Sequence, residues 1–169
     1  MTTPVFGITG WKNSGKTTLT EAIVANLVGR GWRVSTVKHA HHAFDIDKQG
    51  ADSWRHRVAG ATEVAIVSGH RWALMHELRG EDEPSLAAIL ARFDPCDIVI
   101  VEGYKRESHP KIECRRAGGN SVEPLAPHDP AIVAIAADHA TETHGLPLFG
   151  LDDAAAIADF IENSAGLRK

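Results

Sequence analysis

The chain has 169 residues, 43% of them hydrophobic and 24% charged, enough for one globular domain with a substantial core. A net charge of −4 gives no electrostatic basis for binding nucleic acid or an anionic membrane surface. No apolar run approaches the roughly 20 residues of a membrane helix, Met1-Thr2-Thr3-Pro4 lacks the pattern of a secretory signal, and Cys96 and Cys114 show no paired spacing, so a reduced, cytoplasmic protein with inert thiols is expected.

Val5-Phe6-Gly7-Ile8-Thr9 reads as a buried strand, over about 4–9. Gly10-Trp11-Lys12-Asn13-Ser14-Gly15-Lys16-Thr17 follows and fits G-x-x-x-x-G-K-[ST], the phosphate-binding loop. A helix then runs to about Val28, with Leu19, Ile23 and Leu27 at helical spacing and Val24 and Val28 beside them. Strand, loop and helix in this order are the context the motif requires. Gly10 and Gly15 permit backbone angles that a side chain would block. The N–H groups of Asn13 to Thr18 then point inward as a nest for phosphate oxygens, at the positive end of the helix dipole. Lys16 supplies a point charge to the β- and γ-phosphates, and Thr17 offers a hydroxyl to Mg²⁺. Trp11 stands where some related ATPases carry an intersubunit lysine, so that role is not assigned.

Trp32 to Lys38 predicts a second strand, and His39 to Gly50 a polar loop. Three readings of this loop stand side by side. It is a switch segment, with Asp45 or Asp47 touching Mg²⁺ or aligning an attacking water. It is a transition-metal site built on His39, His41 and His42, which are too close in sequence to close a tetrahedral site unaided. Or it is a solvated loop with Asp52 or Ser53 capping the next helix. The histidines also suit phosphate contact without a metal.

Asp52 to Ala59 reads as a short helix. Glu63 to Ser68 and Arg71 to Leu78 are β-type runs around Gly69-His70, which predicts a hairpin. Leu86, Ile89, Leu90 and Phe93 mark another helix. Ile98-Val99-Ile100-Val101 is a strand buried on both faces, ending in Glu102-Gly103. A carboxylate at that strand end is placed to orient Mg²⁺ or its water shell. Lys111 to Arg116, Ala131 to Ala136 and Leu146 to Phe149 read as strands, separated by a Gly/Pro-rich loop over 117–130. Asp152 or Asp153 caps a last helix to about Asn163. Strands alternating with helices predict an α/β fold: a mostly parallel sheet flanked by helices, one domain over 1–169, with a small β-hairpin appendage at about 63–78. Such a sheet binds ligands at the carboxyl ends of its strands.

Four segments carry a family resemblance: Gly10 to Leu19; Lys38-His39-Ala40-His41-His42 continuing to Asp47 through Ser53; Arg71-Trp72-Ala73-Leu74-Met75; and Val101-Glu102-Gly103-Tyr104-Lys105. The first is shared with many NTPases. The second is specific in order and spacing. Together they resemble the molybdopterin-guanine dinucleotide biosynthesis adapter family, MobB. The resemblance implies a P-loop NTPase fold and an intertwined homodimer. It implies GTP and Mg²⁺ as ligands, slow GTP hydrolysis, and molybdopterin as a possible bound ligand. The implied partner is the MobA-type molybdenum cofactor guanylyltransferase, which attaches GMP to molybdopterin. By position, Gly10 to Thr18 would bind phosphates and Glu102 would serve the metal. Asp47 and the histidines would face the nucleotide or the incoming cofactor.

The common guanine-reading motif [NT]-K-x-D is absent. Asp138, ending a strand after Ala136-Ala137, is an alternative carboxylate for the two N–H groups of guanine, or a simple turn aspartate. Two other functions compete with the adapter. One is a small-molecule kinase, with Arg55 and Arg57 as lid candidates. The other is a nickel-type metallochaperone GTPase, suggested by the histidines alone.

Overall fold

The computed structural model describes residues 3–40, 44–118 and 123–168. In chain order the elements are β1 (Val5–Gly10), α1 (Lys16–Gly29), β2 (Val34–Lys38), α2 (Asp52–Val58), β3 (Glu63–Val67), β4 (Trp72–His76), α3 (Leu86–Leu90), β5 (Ile98–Glu102), β6 (Lys111–Arg115), β7 (Ile132–Ala137), β8 (Leu148–Gly150) and α4 (Ala154–Ala165), with one 3₁₀ turn at Ala126–His128. They form two compact units, one of Met1–His39 with Phe93–Lys169, the other of Ala40–Arg92.

The first unit is built on a six-stranded sheet in the order β2-β5-β1-β6-β7-β8, parallel at every pairing. Parallel strands covered on both faces need continuous apolar runs, and β5 and β6 are buried at every position. One sheet face carries Phe6, Ile8, Ile98, Ile100, Ile112, Cys114, Ala134 and Ala136. It packs against Leu19, Ile23 and Leu27 of α1 and Ile157, Ala158 and Ile161 of α4. Each fully buried isoleucine or leucine contributes about 1.5–3 kcal/mol relative to exposure. Val28, read as part of the α1 stripe, is instead 52% exposed, because it follows Leu27 around the helix toward solvent. Trp32 precedes β2 and does not belong to it: its indole N–H donates to Glu162 Oε1 at 2.6 Å, tying the turn after α1 to α4. Asp153 caps α4 by accepting from the Ala156 N–H at 3.1 Å, and Gly166 ends it at φ +66°.

β5 and β6 flank β1 on opposite sides, and β6 begins level with Gly7 while β5 ends level with Ile8. The link 103–110 therefore crosses over β1. Gly7 makes room for it: a Cβ there would lie 2.6 Å from His109 Nε2 and 2.8 Å from Lys111 Cβ. The Gly7 N–H donates to the Pro110 carbonyl at 2.8 Å, fixing the crossing.

In the second unit β3 and β4 form the expected antiparallel hairpin, Glu63 opposite His76 and Val67 opposite Trp72. Val64 and Met75 are its buried pair, whereas Ile66, Val67, Trp72 and Leu74 are exposed. The Ser85 side chain caps α3 through the Ala88 N–H at 3.2 Å.

The stretch expected to be plain loop after β6 contains the 3₁₀ turn. A buried carboxylate holds it: Glu113 accepts from the N–H groups of Leu125 and Ala126 at 2.8 and 2.9 Å and pairs with Arg115 Nη2 at 2.8 Å.

Candidate nucleotide-binding site

The carboxyl ends of β1, β2, β5, β6 and β7 meet along one sheet edge because their pairings set them level there. Glu102 is the register partner of both Ile8 and Lys38, and Cys114 that of Gly10. The loop 10–15 leaves β1 through backbone that only small or special residues tolerate: φ is +145° at Gly10, +64° at Asn13 and +90° at Gly15. A Cβ on Gly10 would lie 2.6 Å from both the Cys114 carbonyl oxygen and Ser14 Oγ, so the loop can follow this path only with glycine. Gly15 precedes the first turn of α1, whose N–H groups open toward the loop.

Lys16 folds back over the loop and donates to the Trp11 carbonyl at 2.6 Å. Its pKa is lowered from the ordinary value, first by burial and then by the nearby ammonium groups of Lys105 and Lys38. Ser14 is 2% exposed, and its hydroxyl has no hydrogen-bond partner among the described residues. A buried donor of this kind suits an oxygen-rich ligand. Thr17 Oγ1 donates to Glu102 Oε1 at 2.8 Å, and Glu102 is buried. Hydroxyl and carboxylate are the hard oxygen donors Mg²⁺ takes, with waters completing its shell, so the pair fits that ion. Lys38, at the end of β2, sets its ammonium 3.3 Å from Glu102 Oε1 and 3.4 Å from Thr17 Oγ1. Burial pushes the Cys114 thiol beneath the loop up to about 12, so it stays neutral.

The family model of molybdopterin guanine dinucleotide synthesis protein B, MobB, matches residues 5–138. The chain belongs to the MobB family. It is similar to the molybdopterin-guanine dinucleotide biosynthesis adapter protein of Haemophilus influenzae, 40% identical over 95% of this chain and 88% of the relative. It is also similar to that of Escherichia coli, 37% identical over 94% of this chain and 91% of the relative. Among solved structures it resembles a Bacillus stearothermophilus MobB homolog, with TM-score 0.72 and 32% identity over 97% of this chain and 99% of the other. Bacillus subtilis MobB aligns with TM-score 0.75 and 27% identity over 95% of this chain and 96% of the other. The fold is the P-loop NTPase fold expected from the sequence.

In this MobB chain the other site candidates fall in different places. Thr18 and Asp138 line one cavity of about 480 Å³, together with Gly15, Arg116, Ala137 and Asp152. That cavity adjoins the start of α1. Asp138 accepts from the His139 ring at 2.9 Å and from the Ala117 N–H at 2.7 Å. These bonds, His139 first, hold its carboxyl below the usual range. Arg116 Nε lies 3.7 Å from the other carboxylate oxygen.

His39 sits beside the metal-type pair: its N–H donates to the Glu102 carbonyl at 3.0 Å, and its ring lies 4.7 Å from that of Tyr104. His41 and His42 lie outside the described residues. Among those described, no three His, Cys, Asp or Glu side chains cluster as a metal site would require. Asp47 belongs to the second unit. Arg57 Nη2 donates to Asp47 Oδ1 and to Asp45 Oδ1, each at 2.9 Å, while Asp47 Oδ2 is buried without a partner among the described residues. Arg57, read as a lid candidate, is thus the counter-ion of the two loop aspartates and of Glu77, 3.4 Å away.

Sequence reasoning had not placed Lys38 or Lys105 in the site. The signal was available: a lysine closing β2 and a lysine two residues after Gly103 both fall at the carboxyl edge of the sheet.

Proposed function

We propose that this protein binds GTP with Mg²⁺ and serves as the accessory protein of a molybdenum cofactor guanylyltransferase, assisting attachment of GMP to molybdopterin. The observation that carries the nucleotide part is the 2.8 Å contact of Thr17 with Glu102 beneath a glycine-shaped loop. The accessory role rests on family membership and on the names of the relatives.

In this reading the loop N–H groups, Ser14 and Lys16 hold the phosphates, and Thr17 and Glu102 hold Mg²⁺. A Mg²⁺ ion held there would supply neutralisation of phosphate charge. Asp138 and Arg116 line the cavity for the base, a carboxylate suited to the paired N–H groups of guanine. His39 stands by Glu102, toward the nucleotide or the incoming cofactor. Slow hydrolysis belongs to the same reading, as the family resemblance implies. The exposed apolar residues Val67, Trp72 and Leu74 of the hairpin support a homodimer.

The test is dinucleotide synthesis by the guanylyltransferase from molybdopterin and GTP, with this protein absent, present, or present as Lys16→Ala. The reading requires the wild type to raise product formation, the variant to lose that effect, and GTP alone to turn over slowly. Rapid phosphoryl transfer to an added small-molecule acceptor would overturn it in favour of a kinase.

A further inference from the structure

Two ammonium groups rest on one residue of the phosphate loop. Lys16 Nζ donates to the Trp11 carbonyl at 2.6 Å, and Lys105 Nζ lies 4.1 Å from the centroid of the Trp11 ring. A third, Lys38, lies against Glu102 at 3.3 Å. Among the described residues Glu102 is the one carboxylate in ion-pair contact with any of the three. Three ammonium groups against one carboxylate, in a chain of net charge −4, make a local surplus that calls for an anion.

Lys105 reaches the loop by a turn of unusual backbone angles. Gly103 and Tyr104 both adopt left-handed angles, φ +95° and +48°. For tyrosine that conformation is unfavourable and marks a place where position matters. Gly103 is hemmed in, since a Cβ there would lie 3.1 Å from His39 Cβ, and the Tyr104 ring lies against that of His39. The turn brings Lys105 back over Trp11. Trp11 is itself anchored, its indole N–H donating to the Glu123 carbonyl at 2.7 Å. An ammonium over an aromatic face is held weakly enough to leave for a phosphate oxygen. Burial lowers the Lys105 pKa, so a phosphate contact relieves a cost already present.

We propose that Lys105 is a sensor of the terminal phosphate: it leaves the Trp11 ring to bind the third phosphate of a nucleoside triphosphate held in the loop, so that the site prefers triphosphates over diphosphates. The proposal rests on the nucleotide reading above, and inorganic probes separate the two. Affinities in Mg²⁺ are measured by calorimetry for GTP, GDP, tripolyphosphate and pyrophosphate, using wild type, Lys105→Met and Lys105→Arg. Lys105→Met should weaken GTP and tripolyphosphate by about tenfold and the two diphosphates by less than about twofold, the loss of one charge-assisted contact. Lys105→Arg, which keeps the charge, should retain most of the preference. Equal weakening of tri- and diphosphates, or no weakening, overturns the sensor role and leaves the nucleotide reading standing. A wild type that binds neither GTP nor tripolyphosphate overturns both.

Discussion

The Thr17 hydroxyl donates to the Glu102 carboxylate across 85 positions of sequence, joining the first turn of α1 to the end of β5 at 2.8 Å. The hydroxyl and the carboxylate each belong to a rigid element, so their separation is set by the sheet and not by a loop. Removing the carboxylate charge while keeping its shape should therefore act on the metal and spare the fold. Glu102→Gln should weaken Mg²⁺-dependent GTP binding by about tenfold or more, the scale of one lost charged contact. Metal-free binding should change much less. Titrating GTP affinity against Mg²⁺ concentration checks this.

Lys16 sits on the loop and not in the core, so Lys16→Ala should abolish nucleotide binding while the circular dichroism of the fold persists. Lys16→Met should do the same without lowering stability at pH 7. The sign follows from linkage: in the apo fold the Lys16 pKa lies below its ordinary 10.5. The unfolded chain thus holds more protons between the two values, and stability rises with pH across that interval. Lys16→Met should flatten that rise in a denaturant series. In the wild type, nucleotide affinity should fall as pH climbs through the lowered Lys16 value.

Glu113 joins Arg115 to the N–H groups of Leu125 and Ala126, with its side chain 1% and that of Arg115 6% exposed. Glu113→Ala would leave Arg115 buried with a lost counter-ion and release the 3₁₀ turn. A loss of about 3–5 kcal/mol in urea unfolding is expected. The double change to leucine at 113 and 115 should recover part of it, because no lone charge remains.

His76 lies between Glu63 at 3.0 Å and Glu81 at 3.2 Å, and these carboxylates, Glu63 first, raise its pKa above 6.5. Its contribution to the hairpin is fully present below 6.5 and is lost as pH rises through the raised value. Amide hydrogen exchange in β3 and β4, corrected for intrinsic rate, should quicken across that window, and His76→Gln should remove the dependence.

Asp138→Asn should reduce the preference for GTP over ATP, since an amide cannot accept from both guanine N–H groups as the carboxylate does. Competition binding with the two nucleotides measures it. An unchanged preference removes Asp138 from base recognition.

Much of this protein is determined by short-range chemistry and was legible in the sequence. The β-branched run at 98–101 reads directly as a strand buried on both faces, and Gly10 to Thr17 between a strand and a helix has the sequence and the context of a phosphate loop. An aspartate cap at 152 or 153 and a hairpin at about 63–78 likewise follow from local capping and turn rules, and the structure selects Asp153. The site's inner pairings lie beyond that reach. Trp11 with Lys105, and Lys38 with Thr17 and Glu102, depend on which strands sit beside β1 and at what register. No local propensity encodes that, because parallel neighbours are chosen by packing across the whole sheet. The same holds for Gly7, whose missing side chain is explained only by the 103–110 crossing, and for Glu113, a strand carboxylate whose partners arrive from a turn twelve residues later. Sequence alone determined the P-loop motif and the family the chain belongs to; tertiary structure decided which cations surround that loop, because charge placement follows strand order and strand order follows from burying the core.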